Sequence, residues 1–281
     1  EEAIEELLLA IVEKLEAKDY DLPPLPRIAS QVLALSTNPD AEVETLTQLI
    51  QQDPVLAAKI FKISNSAAFG PSRRIESLSQ AIAWLGLNTI ATTAFMESIQ
   101  SGVFETQGYE AEVQQLWRHA WTTGFYAKSI ADVTGNNQDM AFLFGLLHAI
   151  GKPFVVHTVN QYQKQNHFSL PWTAVLTIMK DSAKEVGRQL AEAWEFPTPV
   201  KEAITLYQDH AFHLGTSPTK AAPITNLAHH LATHFIDPEA ISEDALKSVP
   251  VIQALHLPED VMDIFLGLDD TICQQVEAML A

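Results

Sequence analysis

Ala141-Phe142-Leu143-Phe144-Gly145-Leu146-Leu147-His148-Ala149-Ile150-Gly151-Lys152 opens the most apolar part of the chain, and its reading decides the architecture. The apolar run continues to Val156, short of the ~20 residues that a membrane-spanning helix needs, and His148, Lys152 and Pro153 interrupt it. A helical stretch that is apolar on all sides and does not cross a membrane belongs in the middle of a bundle. The pattern predicts one core helix from Asp139 to about Thr158. Amphipathic helical patterns flank it: Glu110 to Thr134, ending at Gly135, and Trp172 to Trp194, with a break expected near Asp181-Ser182.

Farther out the same periodicity persists. Ile4, Leu7, Leu8, Ile11 and Leu15 form one stripe of a first helix that stops before Pro23-Pro24. Pro26 opens a second helix that closes at Asn38-Pro39-Asp40, and Val43, Leu46, Leu49 and Ile50 mark a third. Asp53-Pro54 pairs an N-cap with a proline in the first turn, predicting a helix over Val55 to Ser64. Ser77-Leu78-Ser79-Gln80 has capping-box spacing, and Asn88 can cap the helix after Gly86. Thr198-Pro199 starts another helix, Thr219 to Phe235 a further one, and Pro258 to Ala281 supply at least one more. No segment alternates with period two, so the fold class is all-α, about a dozen helices joined by short loops. The organisation expected is an N-terminal helix at 1–18, a helical bundle at 19–108, a second at 109–215 and a helical extension at 216–281.

Of the 281 residues, 35 are Asp or Glu and 17 are Lys or Arg, a net charge of −18. Such a field repels nucleic acid and anionic membranes unless a local basic patch intervenes, and the only short basic run is Arg73-Arg74. Neither nucleic acid nor membrane insertion is expected, whereas 47% hydrophobic residues supply a full core. The single cysteine, Cys273, excludes an internal disulfide or a thiolate zinc site and points to a reducing compartment, the cytoplasm. Glu1, Glu2, Glu5 and Glu6 stand where a signal peptide carries positive charge, and the absence of an initial Met suggests a removed upstream region.

Phosphate-binding glycine loops and the nucleophile elbow are absent from the sequence, which leaves histidine chemistry. Gly145-Leu146-Leu147-His148-Ala149-Ile150-Gly151-Lys152 resembles the GLLHDIGK hallmark of the HD metal-dependent phosphohydrolases, and Trp117-Arg118-His119 resembles the helix that supplies their first histidine. Ile50 to Leu56, Ile63 to Phe69, Arg74 to Gly86 and Val186 to Pro197 are similar to signatures of the HDOD domain, a bacterial signalling module related to those hydrolases. The resemblance covers about residues 20 to 210 and implies an HD-like bundle with an additional N-terminal helical bundle.

In the HD hydrolases, an earlier His, the His-Asp pair and a later Asp hold one or two divalent metals that activate water and clamp phosphate. Carried over by motif, those positions here include His119, His148, Ala149, Ala183 and His210, with Tyr207-Gln208 an alternative alignment for the last. Ala149 replaces the metal-binding Asp and offers no lone pair, and Ala183 stands where a second histidine is expected. The resemblance therefore implies a module without catalytic residues, metal or cofactor, acting in bacterial regulation through contacts with other signalling proteins; the oligomeric state is open. Its competitors are a metal-dependent phosphohydrolase of nucleotides or cyclic dinucleotides with rearranged ligands, and a binding module for an anionic small molecule in the old cleft.

Read as residues alone, His119 and His148 are either buried imidazoles bonded to backbone or to each other, the reading adopted here, or the rest of a metal site. An Asp restored at position 149 is expected to be buried among apolar side chains without a partner. His230 and His234 have a spacing that zinc can use, and His210 and His213 sit near a helix end. Asn65-Ser66 is expected to be a structural corner, and with Arg73 and Arg74 it forms the candidate interaction loop.

Overall fold

The computed structural model describes residues 11, 13, 22–36, 43–102, 104, 106–208, 219–258 and 260–281. Among them are fifteen helices and no strand, so the chain is all-α. All but two residues of the expected first helix, the Asn38-Pro39-Asp40 turn, His210 and His213 lie outside the described residues. Two compact units emerge, one spanning residues 104–267 and the other combining 23–103 with 268–281.

The smaller unit contains α1 (Arg27–Ser36), α2 (Val43–Gln51), α3 (Pro54–Ser64), α4 (Leu78–Leu85) and α5 (Leu87–Gly102). It is completed by the last helix of the chain, Asp269–Leu280. Asp53 caps α3 as its sequence predicts, its carboxylate accepting from the backbone N–H of Val55 and Leu56. Ser77 Oγ accepts from Gln80 N, but the Gln80 side chain reaches back to Glu76 N, one residue earlier than in the usual capping box. Helix α5 begins at Leu87, directly after Gly86, so Asn88 lies inside it and is not its cap. Val32, Ile50, Ile60, Phe95 and Met279 are fully buried in this unit.

In the larger unit, α6 (Glu110–Val133) lies against α7 (Gln138–Leu147), followed by α8 (Gly151–Asn166), α9 (Trp172–Ala193) and α10 (Thr198–Leu206). Then come α11 (Ala221–Ile236), the short α12 (Glu243–Lys247), α13 (Val251–Ala254) and α14 (Val261–Leu266); α15 is the Asp269–Leu280 helix of the smaller unit. The single core helix expected from Asp139 to about Thr158 is corrected to two, separated by a turn at 148–150. Pro153 supplies the reason: it has no N–H to donate, and its ring would collide with the carbonyl four residues back, so a helix cannot run through from α7. The turn is closed by Ile150 N on Leu147 O and Lys152 N on Ala149 O. Helix α9, in contrast, runs unbroken through Asp181-Ser182. Among the described residues, Gln138–Asn166 alone is long and apolar enough to cross a membrane, and 83% of its most apolar window is buried inside the protein.

Two glycine crossings set the geometry. A Cβ on Gly145 would stand 2.7 Å from Ala127 Cβ and 3.1 Å from Gly124 Cα, so α6 and α7 touch almost backbone to backbone. A Cβ on Gly151 would stand 2.0 Å from Ala183 O and 2.7 Å from Gly187 N, so the start of α8 is pressed onto α9 in the same way. Both crossings flank the 148–150 turn and fix its position. Residues after 216 do not form one appendage: α11 packs on α6 and α7 through buried Leu227, Ala228 and Leu231, while α15 joins the smaller unit.

Candidate functional site

Where α7 ends, the chain turns His148 inward. Its Nδ1–H donates to Gly145 O at 2.6 Å, which leaves the lone pair on Nε2, an atom that is buried with no hydrogen-bond partner. His119, on α6, lies beside it with ring centroids 5.7 Å apart. The third member is His229 on α11, 4.8 Å from the His119 ring and 5.5 Å from that of His148. The ring of Tyr207 closes the group, 4.8 Å from His148 and 5.2 Å from His229. Thr233 Oγ1 donates to His229 O, so its 3.2 Å contact with His119 Nε2 is an N–H donation from the imidazole. His229 Nδ1, like His148 Nε2, is buried without a partner.

Burial holds all three imidazoles well below their usual pKa, and the neighbouring imidazoles together with the Lys152 ammonium push the same way. The cluster is neutral at physiological pH. Burial likewise raises the Tyr207 phenol to about 12 and lowers Lys152.

Ala149 and Ala183, from the turn and from α9, share the wall of a cleft of about 480 Å³ that reaches His148. Lys152, Lys180 and Lys184 line it as well, with Tyr207 and Gln208. The apolar surroundings expected for an Asp at position 149 are therefore corrected: the position is half-buried and faces a cleft that carries ammonium groups. Of the positions taken from the motifs, the structure brings His119 and His148 together and sets Ala149 and Ala183 beside them; His210 lies outside the described residues.

Sequence reasoning missed His229, Lys180 and Lys184. A signal was present, since Asn226, His229 and Thr233 recur at helical spacing within an apolar helix, a polar stripe turned inward. Attention to His230 and His234 obscured it. The Nδ1–H groups of those two are bonded to Asn226 O and Ile241 O, and neither belongs to the one group of three metal-ligating side chains found among the described residues.

The corner at Asn65 is fully bonded. Its carboxamide donates to Phe61 O and Ile75 O and accepts from Ile75 N at 2.8 Å, while Ser66 Oγ donates to Ile63 O. Arg73 and Arg74 are exposed on the loop so fixed, beside Trp84, whose indole donates to Phe69 O.

Residues 22–210 match the HDOD domain. The chain belongs to the HDOD family. This HDOD protein is 28% identical over 241 residues to an uncharacterised protein of Treponema pallidum (strain Nichols), a match that takes in 82% of the chain but 45% of that protein, so the chain spans about half its length. Solved structures similar in fold include a candidate metal-dependent phosphohydrolase from Shewanella amazonensis SB2B (TM-score 0.71, 21% identity, 99% of this chain and 100% of that one). An HDOD domain protein of unknown function from Geobacter sulfurreducens is similar as well (TM-score 0.69, 21% identity, 98% and 97%). A third is a candidate signal transduction protein from Marinobacter aquaeolei VT8 (TM-score 0.71, 21% identity, 99% and 66%).

The related hydrolases imply a divalent metal at this place. The donor atoms of His119, His148 and His229 lie within 4.8 Å of one another, and no carboxylate joins them among the described residues. Three neutral imidazoles are a ligand set for a borderline ion such as zinc, not for hard ions bridged by carboxylate. The Lys152 ammonium, whose charge reaches all three rings, opposes any added cation. The HDOD site does not fit the carboxylate-anchored metal of the hydrolases.

Proposed function

We propose that this HDOD domain is a non-catalytic output or scaffold module of bacterial signal transduction, working in the cytoplasm through contacts with other signalling proteins. The observation that carries the reading is Ala149 on the cleft wall, with no carboxylate in reach of the histidine cluster among the described residues. Without that ligand a metal-bound hydroxide, the nucleophile of metal-assisted phosphate hydrolysis, has no anchor. The Asn65 corner, which presents Arg73 and Arg74 on a loop held by four side-chain hydrogen bonds, supports a contact with an acidic partner surface.

The competing reading, hydrolysis of nucleotides or cyclic dinucleotides with rearranged ligands, is favoured by the convergence of His119, His148 and His229. Elemental analysis of the purified chain, paired with hydrolysis assays on phosphomonoesters and cyclic dinucleotides in Mn, Ni or Zn, separates the two. Substoichiometric metal and no turnover are expected. About one metal per chain, with turnover lost in His229→Ala, would overturn the non-catalytic reading.

A further inference from the structure

The cleft beside the histidine cluster is lined by cationic groups in a chain that is acidic as a whole. Three of the 17 basic residues of a chain with net charge −18 line it, and among the described residues no carboxylate does. Lys180 and Lys184 are four apart on α9, where like charges repel, and both lie in the cleft wall. Lys152 enters from α8 and is half-buried; burial alone shifts its titration, with no carboxylate contributing. A half-buried ammonium with no counter-ion among the described residues is costly unless a bound anion supplies one. His148 Nε2, buried and unpartnered, is a further polar atom at this end of the cleft.

Leu176 and Met179, on the same helix as Lys180 and Lys184, and Ile204 add apolar side chains to the lining, and Tyr207 and Gln208 add hydrogen-bonding groups. At about 480 Å³ the cleft is in the range of small-molecule sites, far larger than a lone inorganic ion requires. Ammonium groups and apolar side chains in one lining together select a ligand with an anionic head and an apolar or planar body. Lysine is a point-charge binder of phosphate.

We infer that this cleft binds a phosphorylated small molecule without metal, its phosphate held by Lys152, Lys180 and Lys184 and its body laid against Leu176, Met179 and Ile204. The ammonium groups then take the place that divalent metals hold in the hydrolases, and the ligand is retained as a signal. The inference deepens the regulatory reading by giving the module an input, and it rests on that reading only for the claim that the ligand is kept intact.

Titration calorimetry of the full chain with guanosine and adenosine 5′-monophosphates, and with inorganic phosphate and guanosine as half-ligands, tests it. One site per chain is expected, with one of the nucleotides binding at least tenfold tighter than either half-ligand and weakening as NaCl rises. Lys180 and Lys184 are both exposed on α9, so the double variant Lys180→Glu/Lys184→Glu should keep its circular dichroism and melting temperature while losing at least tenfold in affinity. No binding of either nucleotide up to millimolar concentration would overturn the site and leave the non-catalytic reading standing. Unchanged affinity in the double variant, or phosphate binding as tightly as the nucleotides, would also overturn it. A nucleotide that is bound and then cleaved would keep the site and sink the non-catalytic reading.

Discussion

Two corners between consecutive helices, α3 to α4 at Asn65 and α7 to α8 at His148, spend their polar groups in opposite ways. Asn65 and Ser66 close every contact locally, on Phe61, Ile63 and Ile75, and the corner is finished as a piece of structure. His148 uses one nitrogen on Gly145 O and leaves the other buried without a partner, at one end of a cleft lined by three lysines. A polar corner that only shapes the chain is satisfied from within, because an unmet buried group costs stability. One that is kept open is where a ligand or a lost ligand set is to be sought.

The strongest challenge to this contrast is Gly151→Ala. A methyl group there meets Ala183 O and Gly187 N, both backbone atoms that no rotamer change can move aside, so the α8–α9 crossing has to open. A loss of more than about 3 kcal/mol is expected in urea unfolding. A loss below about 1 kcal/mol would mean that the crossing does not fix the open corner.

Acid should act next, through the cluster. The folded-state pKa values of His119, His148 and His229 lie below the unfolded value near 6.5, so below that pH the unfolded chain binds more protons and stability falls as pH falls. Each histidine contributes up to about 1.4 kcal/mol per pH unit below 6.5, so the three together should cost about 4 kcal/mol between pH 7.5 and 5.5. Melting curves across that interval measure it, and the slope should flatten in His229→Asn. A slope unchanged by that substitution would show that the cluster is not the source.

The smallest effect belongs to the closed corner. Asn65→Ala removes three hydrogen bonds to backbone, but the residue is exposed and water replaces part of them, so about 1–2 kcal/mol is expected with the binding of phosphorylated probes unchanged. An effect on that binding would erase the distinction between the two corners.

Much of the fold can be read without coordinates. Helical periodicity, the Asp53-Pro54 cap and the Gly86 stop are local, and each is decided within a few residues, so the all-α class follows from the sequence. The 148–150 break was also legible, because Pro153 forbids a continuous helix, although the apolar run around it disguised the signal. The loss of the hydrolase carboxylate is written in Ala149.

What the sequence could not decide is which distant helix completes the site. His119, His148 and His229 meet because Gly124 and Gly145 let α6 and α7 close to backbone contact and α11 packs across both. Lys152 joins Lys180 and Lys184 because Gly151 and Gly187 bring α8 onto α9. Helix periodicity says which face of a helix is buried, a property of neighbours three and four residues apart; which faces meet depends on shape and close approach between segments far apart in the chain. The amino-acid sequence by itself therefore determined the helices and the missing ligand, and only the tertiary structure decided the third histidine and the lysine-lined cleft.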